Sequence, residues 1–131
     1  MFSHNVSVLD TGTFSYDFLP TAKHPAGGYF TLILRQDVNN YYLLRNTDGY
    51  GPRYLQKYVS GTLVDSANFT IEYSQNNNYS ITVNFSPGQT TVNAFGETLT
   101  INTDSSSIMV NSFEINPNQQ DAYYDNISYT D

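Results

Sequence analysis

The sequence predicts an all-β fold, an antiparallel β-sandwich of the jelly-roll kind with about twelve short strands. Three observations predict it. Runs of five to nine residues rich in Val, Ile, Thr, Tyr and Phe recur along the chain, and Gly, Pro, Asn or Asp stands between them. No stretch of useful length repeats apolar residues at the helical period. The strong helix formers Ala, Leu, Glu and Lys are scarce.

The predicted strands follow one another closely, each bounded by a turn signal such as HPAGG, DVNN, NTDGYGP, SQNNN or SPGQ. The candidate strands are residues 5–9, 12–19, 28–36, 41–46, 53–60, 62–67, 69–74, 79–86, 90–96, 97–102, 107–115 and 122–130. A single up-and-down barrel is disfavoured, because so many strands would enclose a lumen that these side chains cannot fill. No repeat or linker divides the chain, so we expect one domain over residues 1–131.

The composition argues against several classes of function. The chain of 131 residues has no cysteine, which excludes disulfides and thiolate chemistry. Its net charge of −7 argues against nucleic acid, whose recognition needs a basic surface. The opening residues MFSHNVSV resemble no signal peptide, and no apolar run approaches the ~20 residues that span a bilayer. We expect a module of a larger secreted or cell-surface protein, whose targeting segment lies elsewhere in the parent chain.

Strand alternation assigns faces to the middle of the chain. If residues 36–40 form a five-residue hairpin loop, Arg35 pairs with Tyr41, and both share one face with Arg45. A four-residue loop would instead turn Arg45 toward the core, so the longer loop is preferred. The residues then predicted to face the core are Phe30, Leu32, Leu34, Tyr42 and Leu44.

Positive charge is concentrated in the same region. Four of the five basic residues lie between positions 35 and 57. On the strand after the hairpin, Arg53 and Lys57 are four apart and therefore point the same way. We predict them to face outward with Arg35 and Arg45, which sends Tyr54 and Tyr58 inward. Tyr50 stands on the exposed tip of NTDGYGP.

These side chains form a candidate carbohydrate-binding site: Arg35, Tyr41, Arg45, Tyr50, Arg53 and Lys57. Arginine forks bind carboxylates or sulfates, and tyrosine rings stack on sugars. The alternative is that the cations only neutralise an acidic protein or pair with Asp37 and Asp48, and that Tyr50 packs on its own strand. Isolated surface pairs contribute only about 0–1 kcal/mol each, so pairing alone explains the clustering poorly.

Three segments resemble concanavalin A-like and laminin-G-like sandwiches of the carbohydrate-binding-module type. They are GYFTLILRQDVNNYYLLRNTDGYGPRYLQKYVSGTLVDSA (28–67), YSITVNFSPGQTTVNAFGETLT (79–100) and the ending DAYYDNISYTD (121–131). The resemblance implies two curved sheets, the concave one often binding glycans. The chain departs from the pattern in two ways: FSYDF barely matches the usual opening strand, and tryptophan is absent.

The resemblance also implies a candidate calcium site. Asp125 in YYDNI stands where related jelly rolls place a ligand of one structural Ca²⁺, and Asp121 or backbone carbonyls are candidate partners. The alternative is that Asp125 and Asn126 only bond the backbone at a strand bulge.

No catalytic constellation is recognisable. The glutamates Glu72, Glu97 and Glu114 lie on three different candidate strands, without the E-x-D-x-(x)-E spacing of glycosidases that share this fold. His4 and His24 have no nucleophile or second base in a recognisable arrangement. We therefore expect no enzyme activity.

The sequence thus predicts a non-catalytic carbohydrate-binding module that recognises an acidic or sulfated polysaccharide and is tethered to a secreted polysaccharide-degrading enzyme. The alternatives are a protein-binding or adhesion domain, as laminin-G modules are, and a structural spacer of a large cell-surface protein. No nucleic acid or membrane is expected as a partner.

Overall fold

The structure, a computed structural model, describes residues 2–23, 28–48, 51–71, 73–118 and 120–131. Every regular element among them is a strand. The strands are β1 (Phe2–Leu9), β2 (Gly12–Lys23), β3 (Gly28–Arg35), β4 (Tyr41–Asp48), β5 (Tyr54–Val59), β6 (Thr62–Asn68), β7 (Tyr79–Phe85), β8 (Thr90–Ala94), β9 (Glu97–Ile101), β10 (Val110–Asn118) and β11 (Gln120–Thr130). Within the described ranges, no helix is long and apolar enough to cross a membrane.

The strands form two antiparallel sheets. One has six strands in the order β1-β10-β3-β4-β5-β6, and the other has five in the order β11-β2-β7-β8-β9. Buried aromatic and aliphatic side chains from both sheets fill the space between them, as in Phe18 against Phe30 with ring centroids 4.5 Å apart. The predicted all-β jelly-roll sandwich is confirmed.

Eleven strands lie in the described residues, one fewer than the predicted set, because the segment from residue 69 to 74 forms no strand where it is described. Its apolar residues Phe69 and Tyr73 are buried in the core instead. The carboxylate of Glu97 accepts hydrogen bonds from the backbone N–H groups of Thr70 and Ile71, at 3.0 and 3.1 Å. Two apolar anchors and a side-chain cap thus replace a strand ladder as the segment passes from one sheet to the other.

The five-residue loop between β3 and β4 is as predicted. Arg35 pairs with Tyr41. Inside the loop, Asp37 Oδ1 accepts hydrogen bonds from the backbone N–H groups of Asn39 and Asn40, at 2.9 and 2.8 Å. These bonds hold the turn, as expected for an aspartate at the start of a tight loop. They also lower the pKa of Asp37, the bond from Asn39 contributing most.

Candidate functional site

The outer side of the six-stranded sheet carries a group of aromatic and cationic side chains. On β3, β4 and β5, half-buried outward positions alternate with core positions. The outward set is Tyr29, Thr31, Ile33, Arg35, Tyr41, Leu43, Arg45, Tyr54, Gln56 and Tyr58, which we call the tyrosine face. It places four tyrosines and two arginines on neighbouring strands of an acidic protein.

At one end of the tyrosine face, Arg35, Tyr41 and Tyr58 form a stack across three strands. The guanidinium of Arg35 lies 4.9 Å from the centroid of the Tyr41 ring. The rings of Tyr41 and Tyr58 are 4.7 Å apart and nearly parallel, with 18° between their planes. Cation–π and aromatic contacts of this kind each contribute about 0.5–1 kcal/mol at exposed sites.

The stack determines what Tyr41 offers to a ligand. If the two rings lay flat on the sheet, edge beside edge, the width of the rings would keep their centroids further apart than 4.7 Å. The rings therefore overlap face to face. Their 4.7 Å separation matches the spacing of about 4.8 Å between neighbouring strands, so the stack runs from strand to strand. Arg35 covers one side of Tyr41 and Tyr58 covers the other. Tyr41 therefore presents its edge and hydroxyl, and its predicted role as a flat platform for a sugar ring is not favoured.

Arg35 is held by further contacts. Its Nη2 donates to Glu114 Oε2 at 3.1 Å in an ion pair, and its Nη1 donates to the backbone carbonyl of Asp37, also at 3.1 Å. Glu114 belongs to β10, the strand on the other side of β3. Arg35 therefore acts mainly as a clamp that fixes Tyr41, and less of its hydrogen-bonding capacity remains for an anionic ligand.

Arg45, at the other end of the face, is engaged differently. Its guanidinium carbon lies over Tyr29, 3.8 Å from the ring centroid, and Tyr54 is its cross-strand neighbour on β5. Its Nε is buried and has no hydrogen-bond partner among the described residues. Because solvent does not reach this nitrogen, a ligand can contact only the exposed part of the half-buried Arg45 side chain.

Tyr58 remains a hydrogen-bond donor over a wide pH range. Burial raises the pKa of its hydroxyl, and repulsion from ionised Tyr41 and Tyr54 raises it further. The hydroxyl donates to Gln56 Oε1 at 2.9 Å. Two neutral hydrogen-bonding groups, the Tyr58 hydroxyl and the Gln56 amide, thus lie on β5 beside the cations of the face.

The outward placement predicted for Lys57 is wrong. Lys57 pairs with Tyr42, points into the sandwich and is only 2% exposed. Its Nζ donates to the backbone carbonyls of Pro87, Asp104 and Ser106, at 3.1, 3.1 and 2.6 Å. Because these oxygens compensate the buried charge, the ammonium stabilises the fold and is not available to a ligand.

Because Lys57 faces the core, the orientations predicted for the neighbouring residues of β5 are reversed as well. Tyr54 and Tyr58, predicted to face the core, lie on the outer side. Arg53 precedes β5 and is half-buried. It is two residues before Leu55 and four before Lys57, so strand alternation would place it on their side of the sheet, the core side. Tyr50 lies outside the described residues, so its predicted role stays a prediction.

The two aspartates predicted for calcium do not come together. They are four residues apart on β11, about 13 Å along an extended strand, with Tyr123 between them. Asp125 Oδ1 accepts a hydrogen bond from the backbone N–H of Asn126 at 2.8 Å, and the pairing with β2 shifts register between Asp125 and Ser128. This geometry matches the strand-bulge alternative and does not fit one ion shared by Asp121 and Asp125.

No group of three or more His, Asp or Glu side chains able to hold a metal lies in the part of the chain that the structure describes. The two glutamates whose side chains are described have structural contacts, Glu97 with Thr70 and Glu114 with Arg35. Calcium bound by Asp125 with backbone carbonyls alone stays a prediction.

The outer side of the five-stranded sheet carries different side chains from those of the tyrosine face. Two rows of short hydroxyl and amide side chains cross all five strands. They are Thr130, Thr13, Asn84, Thr91 and Thr100, and Ser128, Ser15, Thr82, Asn93 and Thr98. Neither row contains a cation or an aromatic ring. The tyrosine face is therefore the better candidate for recognising a ring-containing or anionic ligand.

The roles of Tyr29, Tyr54, Tyr58 and Glu114 were not predicted from the sequence. Tyr29 was recoverable, because it precedes Phe30, which was predicted to face the core. Tyr54 and Tyr58 required the true register of β5. Glu114 required the pairing of β10 with β3, which joins residues 79 positions apart.

Solved structures with a similar arrangement of strands include a carbohydrate-binding module and several galectins. The carbohydrate-binding module CBM66 from Bacillus subtilis is 15% identical, with 99% of this chain and 78% of that chain covered and a TM-score of 0.70. Chicken galectin 2 is 10% identical, with 98% of both chains covered and a TM-score of 0.74. The Caenorhabditis elegans galectin LEC-6 is 17% identical, with 97% and 89% covered and a TM-score of 0.68.

No protein-family model and no curated protein sequence matches this chain. At these identities the structural likeness shows the fold alone, a jelly-roll sandwich of two antiparallel sheets. What such a sandwich binds must be argued from its own side chains.

Proposed function

We propose that this chain is a non-catalytic carbohydrate-binding domain whose tyrosine face binds an acidic or sulfated glycan. The observation that carries the proposal is the Arg45 end, where the guanidinium of a half-buried arginine lies 3.8 Å from the ring centroid of Tyr29, with Tyr54 as the cross-strand neighbour. A carboxylate or sulfate oxygen is a strong acceptor for that group. The name of one structural neighbour, a carbohydrate-binding module, supports the general class.

The charge of the face supports an anionic ligand. Two arginines and one glutamate, Glu114, lie on it or beside it, a local balance of +1 (two minus one) in a chain of net charge −7. An anionic glycan is thus directed to the tyrosine face and repelled by the rest of the surface.

The dimensions suit a short stretch of polysaccharide. Arg35 and Arg45 differ by four residues of register along the strands, about 13 Å, and three strands span about 10 Å between the outer two. An open surface of this size contacts a few sugar residues, and we expect modest affinity, because such contacts offset little of the ordering entropy.

The same proposal places the domain in a secreted or cell-surface protein, tethered to an enzyme that degrades the polysaccharide. A binding domain on a tether raises the local concentration of substrate around its partner. The chemistry would then belong to that enzyme and the tyrosine face would supply attachment.

Affinity electrophoresis tests the proposal with gels that contain alginate, pectin, carrageenan or a neutral glucan. We expect retardation by at least one anionic polysaccharide, weaker at high salt. Arg45→Ala should lower the affinity about tenfold, and Arg45→Lys should recover part of it. Thr100→Ala, on the opposite sheet, is the matched control and should bind as the wild type does.

Three outcomes contradict the proposal. Retardation by neutral glucans alone excludes the anionic preference. Unchanged binding by a folded Arg45→Ala variant excludes this end of the face as the site. The absence of retardation in every gel excludes the carbohydrate-binding function for this set of polysaccharides.

A further inference from the structure

A groove of about 420 Å³ lies beside the tyrosine face, between β1 and β10. Its lining residues are Ser3, His4, Asn5, Ser112 and Glu114. Nothing in the proposed binding of an anionic group by Arg45 uses it.

The groove and the tyrosine face share one side of the sheet. Ser3 pairs with Glu114 and Asn5 pairs with Ser112 across β1 and β10. On the next strand, Glu114 pairs with Ile33, an outward residue of the tyrosine face. Since directly paired residues point to the same side, the groove continues the tyrosine face across two more strands. The Arg35–Glu114 ion pair stands at the boundary between them.

The groove offers a different chemistry from the Arg45 end. Ser3, Asn5 and Ser112 supply neutral donors and acceptors, and Glu114 supplies a carboxylate that accepts hydrogen bonds only. Arg35 is held at one oxygen of that carboxylate, which leaves further acceptor positions. Adjacent hydroxyl groups of a neutral sugar can donate to these acceptors, whereas an anionic group has no hydrogen to donate to the Glu114 carboxylate.

The spacing allows one ligand to reach both places. Glu114 and Arg45 are separated by two strand spacings and one outward step along the strands, about 12 Å in total. A glycan of roughly three residues laid across the strands would place one residue in the groove and another against Arg45.

We infer that the groove between β1 and β10 is a second subsite, for a neutral, hydroxyl-rich residue of the same glycan whose acidic residue lies at Arg45. The inference rests on the proposed function and makes it more specific. The ligand class is a polysaccharide in which neutral and anionic residues alternate, bound along an internal stretch. The polysaccharide chain runs across the strands from Glu114, past Ile33 and Leu43, to Arg45.

The test uses three hexasaccharide probes followed by backbone amide shifts in NMR. A carrageenan-derived probe alternates sulfated and less charged residues, an agarose-derived probe is neutral throughout, and a polygalacturonate probe is acidic throughout. We expect the alternating probe to shift amides of the groove residues Ser3, Asn5 and Ser112 together with those around Arg45. The acidic probe should shift only the Arg45 end.

Asn5→Ala is the discriminating variant, because Asn5 lines the groove on β1, two strands away from Arg35 on β3. It should weaken binding of the alternating probe about threefold to tenfold and leave binding of the acidic probe unchanged. Thr100→Ala is again the control, and amide dispersion reports whether each variant is folded.

The outcomes separate the two proposals. Shifts at Arg45 with none in the groove, for all three probes, overturn the second subsite and leave the proposed function standing. Equal weakening of both charged probes by Asn5→Ala also overturns the subsite. No shift anywhere, with any probe, overturns both.

Discussion

Lys57 Nζ lies 3.2 Å from Asp104 Oδ1, and the pair joins β5 to the loop between β9 and β10 inside the sandwich. Lys57 is almost completely buried, whereas the Asp104 side chain is 24% exposed and retains contact with water. The same ammonium also holds backbone carbonyls of two loops, Pro87 in one, and Asp104 and Ser106 in the other. One side chain therefore fixes three segments that are distant in the sequence.

Lys57→Met should destabilise the protein by about 3 kcal/mol, because it leaves three carbonyls without a donor and Asp104 without its partner. The melting temperature should fall by roughly 10 °C for a domain of this size. Arg45→Ala, a cation of the same strand pair on the outer face, should cost about 1 kcal/mol or less. Equal, small losses in both variants would show that the buried ammonium is not structural.

Stability should fall at acidic pH partly through Asp104. Its pKa lies below the usual value, chiefly because the backbone N–H of Ser106 donates to Oδ1 at 2.8 Å, with a further contribution from Lys57. A carboxyl whose folded pKa is depressed stabilises the protein above its unfolded pKa of about 3.9, and that contribution is lost as the pH falls through the folded pKa.

The measurement is the melting temperature of wild type and Asp104→Asn between pH 2 and 7. The variant should be less stable at neutral pH, and the difference should shrink below about pH 4. A difference that stays constant over the whole range would contradict the electrostatic origin.

Tyr16→Phe should leave the stability unchanged or raise it by up to about 1 kcal/mol. The hydroxyl of Tyr16 is buried in the core without a hydrogen-bond partner among the described residues, and burial raises its pKa strongly. Tyr42→Phe is the matched control, because the Tyr42 hydroxyl donates to the carbonyl of Ser86 at 3.4 Å and its loss should be mildly destabilising. Chemical denaturation compares the two variants, and a larger loss for Tyr16→Phe would contradict this account.

Gly12→Ala should destabilise the sandwich by about 1–3 kcal/mol. A Cβ at Gly12 would stand 2.8 Å from the backbone oxygen of Thr130 and 2.9 Å from the buried ring of Phe85. Gly88→Ala is the control, because a Cβ there meets nothing within 4 Å, and its effect should stay within about 0.5 kcal/mol. Similar unfolding midpoints for the two variants would show that β11 can move away from position 12.

The hairpin of β3 and β4 was predictable from the sequence because its determinants are local. The loop from 36 to 40 contains Asp37, whose carboxylate bonds the amides of Asn39 and Asn40. Period-two alternation on both strands excludes a four-residue loop, which would turn Arg45 toward the core. The turn residues and the side-chain alternation therefore indicated the same five-residue loop. That loop pairs Arg35 with Tyr41, as observed.

The faces of β5 were not predictable in the same way. Both sets of alternating positions contain amphipathic side chains, and a lysine is ordinarily placed outward. The reversal depends on carbonyls 30 to 49 residues further along the chain, which surround the ammonium only after the two sheets have packed.

Composition, turn residues and alternation were enough to predict the all-β class, the sandwich architecture, the β3–β4 register and the outward positions of Arg35 and Arg45, because these signals act over a few residues. The folded structure was needed to show that Lys57 is buried and that Tyr54 and Tyr58 join the tyrosine face. It was needed also to show that Glu114 pairs with Arg35 and that Asp121 and Asp125 lie apart. Each of these depends on which distant strands become neighbours, because pairing and packing bring together groups that no local pattern relates.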